Sequence, residues 1–181
     1  MKPLAQRFPA LSESVIEDIL KRWDEPHRQW HGRMHLENLL RQIEEASELD
    51  EADREMLRYV ALFHDAIYLP LRSDNEEESA LLAGDCLKNY SRRDEVVSAI
   101  LATKAHDSIH RLAKKFNEWD CSILDATDWG TLKNYESGIA FEYSEVDPEV
   151  YRRERSRFLR KAAVDYHNPL LDRLADEVSC E

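Results

Sequence analysis

Disulfide chemistry has little to work with in this chain. Its three cysteines, Cys86, Cys121 and Cys180, are odd in number, and none stands in a C-x-x-C pair. That spacing argues against a disulfide framework and a cysteine zinc cluster, and a reducing compartment is expected. Four glycines and six prolines are few for 181 residues, and no proline falls between Pro70 and Pro148. All-β folds need frequent turn residues, and neither an Asn-Gly or Asp-Gly pair nor a sustained period-2 alternation is present. No apolar run approaches the ~20 residues of a membrane span. The opening, Met1-Lys2-Pro3-Leu4-Ala5-Gln6-Arg7-Phe8, lacks the apolar stretch of a secretory leader, so a cytoplasmic protein away from membranes is expected. Positive charge is in deficit, with 25 Lys and Arg against 37 Asp and Glu and a net charge of −12. Surfaces that bind a phosphate backbone are basic, so duplex nucleic acid is not an expected partner.

What is present is helical patterning. A chain 43% hydrophobic can bury a core, and this length predicts one domain over residues 1–181. Ser12 caps a helix carrying Val15, Ile19 and Leu20. Leu36, Leu39, Leu40 and Ile43 share one face of a second helix. A third, from near Asp50, is expected to carry Leu57, Val60, Ala61, His64 and Tyr68 and to end before Pro70. Asp74 or Asn75 is expected to cap a fourth, with Glu76 and Glu77 in its first turn. Val96, Val97, Ile100 and Leu101 mark a fifth. Shorter helical pieces surround Ile123-Leu124, and further helices follow over Thr131 to Tyr143, after Pro148, and from Leu170 to Val178. The fold class is all-α.

Seven histidines are present. His31 and His35 have the spacing of one helical turn, as do His106 and His110. A His-Asp dipeptide occurs twice, at His64-Asp65 and His106-Asp107, and by itself says almost nothing. The first lies in Val60-Ala61-Leu62-Phe63-His64-Asp65-Ala66-Ile67-Tyr68, a stretch expected to be buried, where an unpaired carboxylate is costly. A cation, an arginine or rotation toward water would each relieve that cost. Adjacent residues diverge by ~100° on a helix, yet His and Asp are long enough to reach one ion. Nitrogen and oxygen donors suit Mn, Fe, Co, Ni, Zn or Mg rather than a thiolate metal. His35 and Asp120 are the available further donors.

The order His35, His64-Asp65, Asp120 resembles the H…HD…D pattern of the HD-domain superfamily of metal-dependent phosphohydrolases. The likeness is closer to one branch of predicted metal-dependent HD phosphohydrolases from bacteria. Its R-x-Y-H-x-x-x-H segment corresponds to Arg28-Gln29-Trp30-His31 and His35, and its F-H-D-x-x-Y to Phe63-His64-Asp65-Ala66-Ile67-Tyr68. Its N-E-x-x-S-A corresponds to Asn75-Glu76-Glu77-Glu78-Ser79-Ala80, and its T-K-x-H to Thr103-Lys104-Ala105-His106. Glu142-Tyr143, Val146, Tyr151 and Arg155 follow. The resemblance covers about residues 23–166. It departs at Glu118-Trp119-Asp120, where the branch reads D-x-D, and at Asp125, where the branch has glycine.

The resemblance implies a single HD-domain helical bundle around a central divalent metal held by His35, His64, Asp65 and Asp120. It implies hydrolysis of a phosphomonoester or phosphodiester by metal-activated water, with a small phosphorylated molecule, a nucleotide, as the substrate class. Asp65 and Glu76 are the expected catalytic groups, and Arg28, His31, Lys104 and His106 the expected substrate contacts. Two rival readings remain. One is a di-iron oxidative enzyme of the same fold, drawing on the additional histidines. The other is a non-catalytic protein that binds a metal and a nucleotide. Blander roles stand beside each residue: Glu76 as an ordinary helix-start glutamate, Arg28 and Lys104 as solvated cations, His106 and His110 as surface histidines, and Trp30, Trp119 and Trp129 as core.

Overall fold

A computed structural model describes residues 4–180. Among the described residues regular structure is entirely helical. No helix among them is long and apolar enough to cross a membrane. Residue contacts divide the chain into two compact units, one of everything up to Pro26 with His31–Trp119, the other of His27–Trp30 with everything from Asp120 on.

The first unit holds α1 (Leu4–Arg7), α2 (Glu13–Trp23), α3 (Arg33–Glu45), α4 (Glu51–Phe63), α5 (Asn75–Cys86), α6 (Arg93–Thr103) and α7 (Arg111–Asp120), whose last residue opens the second unit. Side-chain caps start α2 and α4: Ser12 accepts from the Val15 N–H at 3.4 Å and Asp50 from the Asp53 N–H at 2.8 Å. Such caps are each worth ~1 kcal/mol. From Met56 to Phe63 every residue of α4 is buried. A helix apolar all round is covered on all sides, and α4 packs against α2, α3, α5 and α6. The one charge in that run, Arg58, is 1% exposed and donates to Glu44 at 2.6 and 3.1 Å and to Glu51 at 3.1 Å. Burial is tolerated there because the guanidinium is paired twice.

Three local expectations are corrected. Helix α4 stops at Phe63, so His64 is its C-terminal cap and Tyr68 lies outside it. Beyond it the N–H and C=O of both Ile67 and Leu69 bond to side chains of α5 rather than to a helical ladder. Proline at position 70 also disfavours helical geometry at Leu69. Neither Asp74 nor Asn75 caps α5 through its side chain: Arg72 takes the Asp74 carboxylate at 2.7 and 2.9 Å, and Asn75 reaches back to Leu69. Helix α7 falls where no helix was foreseen, and buries Leu112, Ala113, Phe116 and Asn117.

The second unit holds a 3-10 turn (Ser122–Asp125), α8 (Trp129–Glu142), α9 (Pro148–Asp165) and α10 (Pro169–Cys180) around Leu132, Ile139, Leu159, Leu171 and Leu174. Asp147 caps α9 through the N–H groups of Glu149 and Val150, with proline in its favoured first-turn place. Asn168 donates to the carbonyls of Leu124 and Ala126 at 2.8 and 3.0 Å and so ties the 3-10 turn to the start of α10. Among the described non-glycine residues His106 and His167 have positive φ, and Asp125 does not. The glycine expected at 125 is therefore not required by the backbone. Trp30 and Trp129 lie partly buried at the edge of this core, as Trp119 does against the first, while Trp23 is 1% exposed.

Candidate metal centre

Three helix ends deliver the candidate ligands. His35 lies in the first turn of α3, His64 caps the C-terminus of α4, and Asp120 is the last residue of α7. One donor atom from each lies within 4.8 Å of the other two, with both histidines buried and the aspartate half-buried. Aromatic packing sets the imidazoles. The His35 and His64 rings are 5.5 Å apart, Trp23 lies 5.4 Å from His64 and 6.3 Å from His35, and Phe116 lies 5.2 Å from His64. The Trp23 ring is itself fixed, because its Nε1–H donates to the Leu62 carbonyl at 2.9 Å.

The His64 tautomer follows from its neighbours. Nδ1 is 3.1 Å from the Ala61 carbonyl oxygen, which can only accept, so Nδ1 carries the proton. The neutral ring then presents the Nε2 lone pair, and Nε2 lies 3.2 Å from Oδ2 of Asp65. A lone pair facing a carboxylate repels unless a proton or a cation stands against both. A cation at Nε2 would also lie within reach of the donor atoms of His35 and Asp120. A histidine ligand whose other nitrogen donates to a backbone carbonyl is the usual orientation device at a metal. The C-terminal dipoles of α4 and α7 add to the preference, since each disfavours an anion and favours a cation by ~0.3–1 kcal/mol. Mixed nitrogen and oxygen donors fit a first-row divalent ion.

The other expected residues are placed as follows. Asp65, expected as a fourth ligand, is not in the converging group of His35, His64 and Asp120; its Oδ2 lies 3.2 Å from His64 Nε2, with 17% side-chain exposure. The ring of His31 stacks on Tyr68 at 4.4 Å and meets the edge of His35 at 6.1 Å, which places it next to the centre. Glu76 is half-buried in the first turn of α5, with Oε2 3.9 Å from the Lys104 ammonium. Lys104 donates to both Glu77 oxygens at 2.6 and 2.8 Å and to the Ser73 carbonyl. The Lys104 ammonium holds the Glu77 carboxyl below its usual range, and the same contact raises the lysine. Arg28 is buried in the second unit. His106 is exposed, on a left-handed backbone with φ 49°.

Several residues around the site were not foreseen as parts of it: Trp23, Phe116, Tyr68, Asn75 and Ser79. Their only sequence signal was motif spacing for Tyr68, Asn75 and Ser79, and apolar periodicity for Phe116. In the second unit Glu142 accepts from the N–H groups of Gln29 and Trp30 at 2.8 and 2.7 Å, which anchors the segment bearing Arg28 on α8. Gly138 permits that approach, since a Cβ there would meet the Trp30 Cβ at 3.2 Å. Arg155 and Tyr151 both donate to Glu136, at 2.9 and 2.6 Å. Comparison of the chain with models of known families, with curated proteins and with solved structures finds no match.

Proposed function

We propose that the chain is a divalent-metal-dependent phosphohydrolase of the HD type acting on a small phosphorylated molecule, with nucleotides as the substrate class. The observation that carries the reading is the convergence of His35, His64 and Asp120 within 4.8 Å. Its support is the tautomer of His64: with Nδ1–H donating to the Ala61 carbonyl at 3.1 Å, Nε2 is the nitrogen that would ligate an ion. His35, His64 and Asp120 hold the ion, and Asp65 completes or orients that set from beside His64. Bound there, a divalent ion supplies Lewis acidity to a phosphoryl centre. Glu76 orients the attacking water, and His31 contacts substrate from its place against His35. Lys104 and His106 are the further substrate contacts on this reading, Lys104 by exchanging its Glu77 partner for a phosphate oxygen.

Two measurements test it together. Protein purified without chelator should hold about one divalent ion per chain, since three or four protein ligands define one site. It should also hydrolyse at least one member of a panel of nucleotides with Mn²⁺, Co²⁺ or Mg²⁺. Absence of metal from the wild-type chain overturns the reading at its base. Bound metal without turnover on the panel replaces it with a metal- and nucleotide-binding protein, and bound iron with visible absorption replaces it with oxidative chemistry.

A further inference from the structure

The chain leaves the helix just after His64, whose backbone is still helical and whose N–H still bonds the Val60 carbonyl, although nothing in Ala66, Ile67 and Tyr68 forbids α4 from continuing. What holds it outside is a pair of side chains from α5. The Ser79 hydroxyl accepts from the Ile67 N–H at 3.0 Å and donates to the Ile67 carbonyl at 3.2 Å. Two residues on, the Asn75 amide accepts from the Leu69 N–H at 3.1 Å and donates to the Leu69 carbonyl at 2.9 Å. Ser79 is 0% and Asn75 9% exposed, so little water competes for these bonds. Two side chains thus satisfy four backbone groups that helical bonding would otherwise take.

The geometry matters for the ligands. His64 keeps helical backbone angles, φ −55° and ψ −39°, so the chain changes course at Asp65, directly before the residues that Ser79 and Asn75 hold. In the braced turn the Asp65 Oδ2 lies 3.2 Å from His64 Nε2. The same bracing fixes residue 68 between its two rungs, where the Tyr68 ring reaches His31 at 4.4 Å. We propose that Ser79 and Asn75 are positioning residues for the metal centre: by clamping Ile67 and Leu69 they hold His64 and Asp65 in ligand geometry, so that metal affinity depends on two side chains that are not ligands. This rests on the metal reading above.

The test uses the full chain, Co²⁺ as probe, and amide hydrogen exchange. In Ser79→Ala the Ile67 amide loses protection, and in Asn75→Ala the Leu69 amide does. In both, cobalt affinity falls by about 10–100-fold, the range for removing a partner that orients a ligand, and the cobalt absorption band changes. Asn75→Asp keeps the acceptor for Leu69 and loses the donor, so its affinity lies between Asn75→Ala and wild type. Tyr59→Phe is the control for plain destabilisation. It sits on α4 and removes a hydroxyl that accepts from the Ala10 N–H at 2.8 Å, so it should lower Tm and leave cobalt affinity unchanged. Wild-type cobalt affinity in both Ser79→Ala and Asn75→Ala, or an equal loss in Tyr59→Phe, overturns this inference alone. A wild-type chain that takes up no cobalt overturns the metal reading and this inference with it.

Discussion

The chain carries the dipeptide His-Asp twice, and the two copies have opposite surroundings. His64 is 1% exposed at the end of a buried helix, between Trp23 and Phe116, with Asp65 half-buried beside it. His106 and Asp107 lie exposed in the connection between α6 and α7, the histidine on a left-handed backbone. An exposed pair is satisfied by water and needs no further explanation. A buried pair must be satisfied by the protein or by something bound to it, because desolvating a carboxylate costs several kcal/mol. What separates a site from a coincidence of letters is therefore burial together with further donors, and among the described residues it is His64 of the first copy that converges with His35 and Asp120.

The largest expected effect comes from removing the histidines in turn. His64→Ala should weaken metal binding by more than ~100-fold, beyond the upper end of what orienting partners contribute. His106→Ala should leave metal content at the wild-type level while turnover falls. Elemental analysis beside a turnover assay reads both. If His106→Ala empties the site and His64→Ala leaves it full, the pairs have been assigned the wrong way round. Next in size is Asp65→Ala, which should lose metal and remain folded, because removing carboxylate and ion together leaves no orphan charge. A chelator then separates the two proteins. It should lower the Tm of the wild type, where metal held at about 100 times its Kd stabilises by ~2.7 kcal/mol, and leave that of Asp65→Ala unmoved. Wild-type metal content in Asp65→Ala would refute a role for this carboxylate at the ion.

Much of this was legible in the sequence for reasons that are local. Ser12, Asp50, Asp147 and Pro148 announce helix starts because a cap or a fixed φ acts within one turn. His35, His64, Asp65 and Asp120 were read as a set because their order resembles a family pattern; three of them converge, and that convergence is a property of packing. The end of α4 was not legible. The apolar run through Tyr68 reads as helix, whereas Ile67 and Leu69 bond to Ser79 and Asn75, residues 12 and 6 positions from their partners. Helix α7 was missed for a related reason: Leu112, Ala113 and Phe116 form a narrow apolar stripe among basic and polar residues. The tautomer of His64 could not be read at all, since it depends on the Ala61 carbonyl, a group every residue has.

The smallest expected effect is the most discriminating for the comparison. Asp107→Asn changes a charge in the exposed connection, next to His106 and four residues before α7 begins at Arg111. Surface substitutions of this kind fall within about ±0.5 kcal/mol, so Tm should barely move. Metal content and turnover should both match the wild type, because the converging donors are His35, His64 and Asp120. The same change at the other copy, Asp65→Asn, keeps the shape of the side chain and removes the charge that faces His64 Nε2 at 3.2 Å, so it should lose both metal and activity. Two isosteric substitutions in the same dipeptide, differing only in burial and in what surrounds them, thus give opposite expected results. Equal losses in the two variants would mean that the exposed pair also takes part, and that burial is not what separates the two copies.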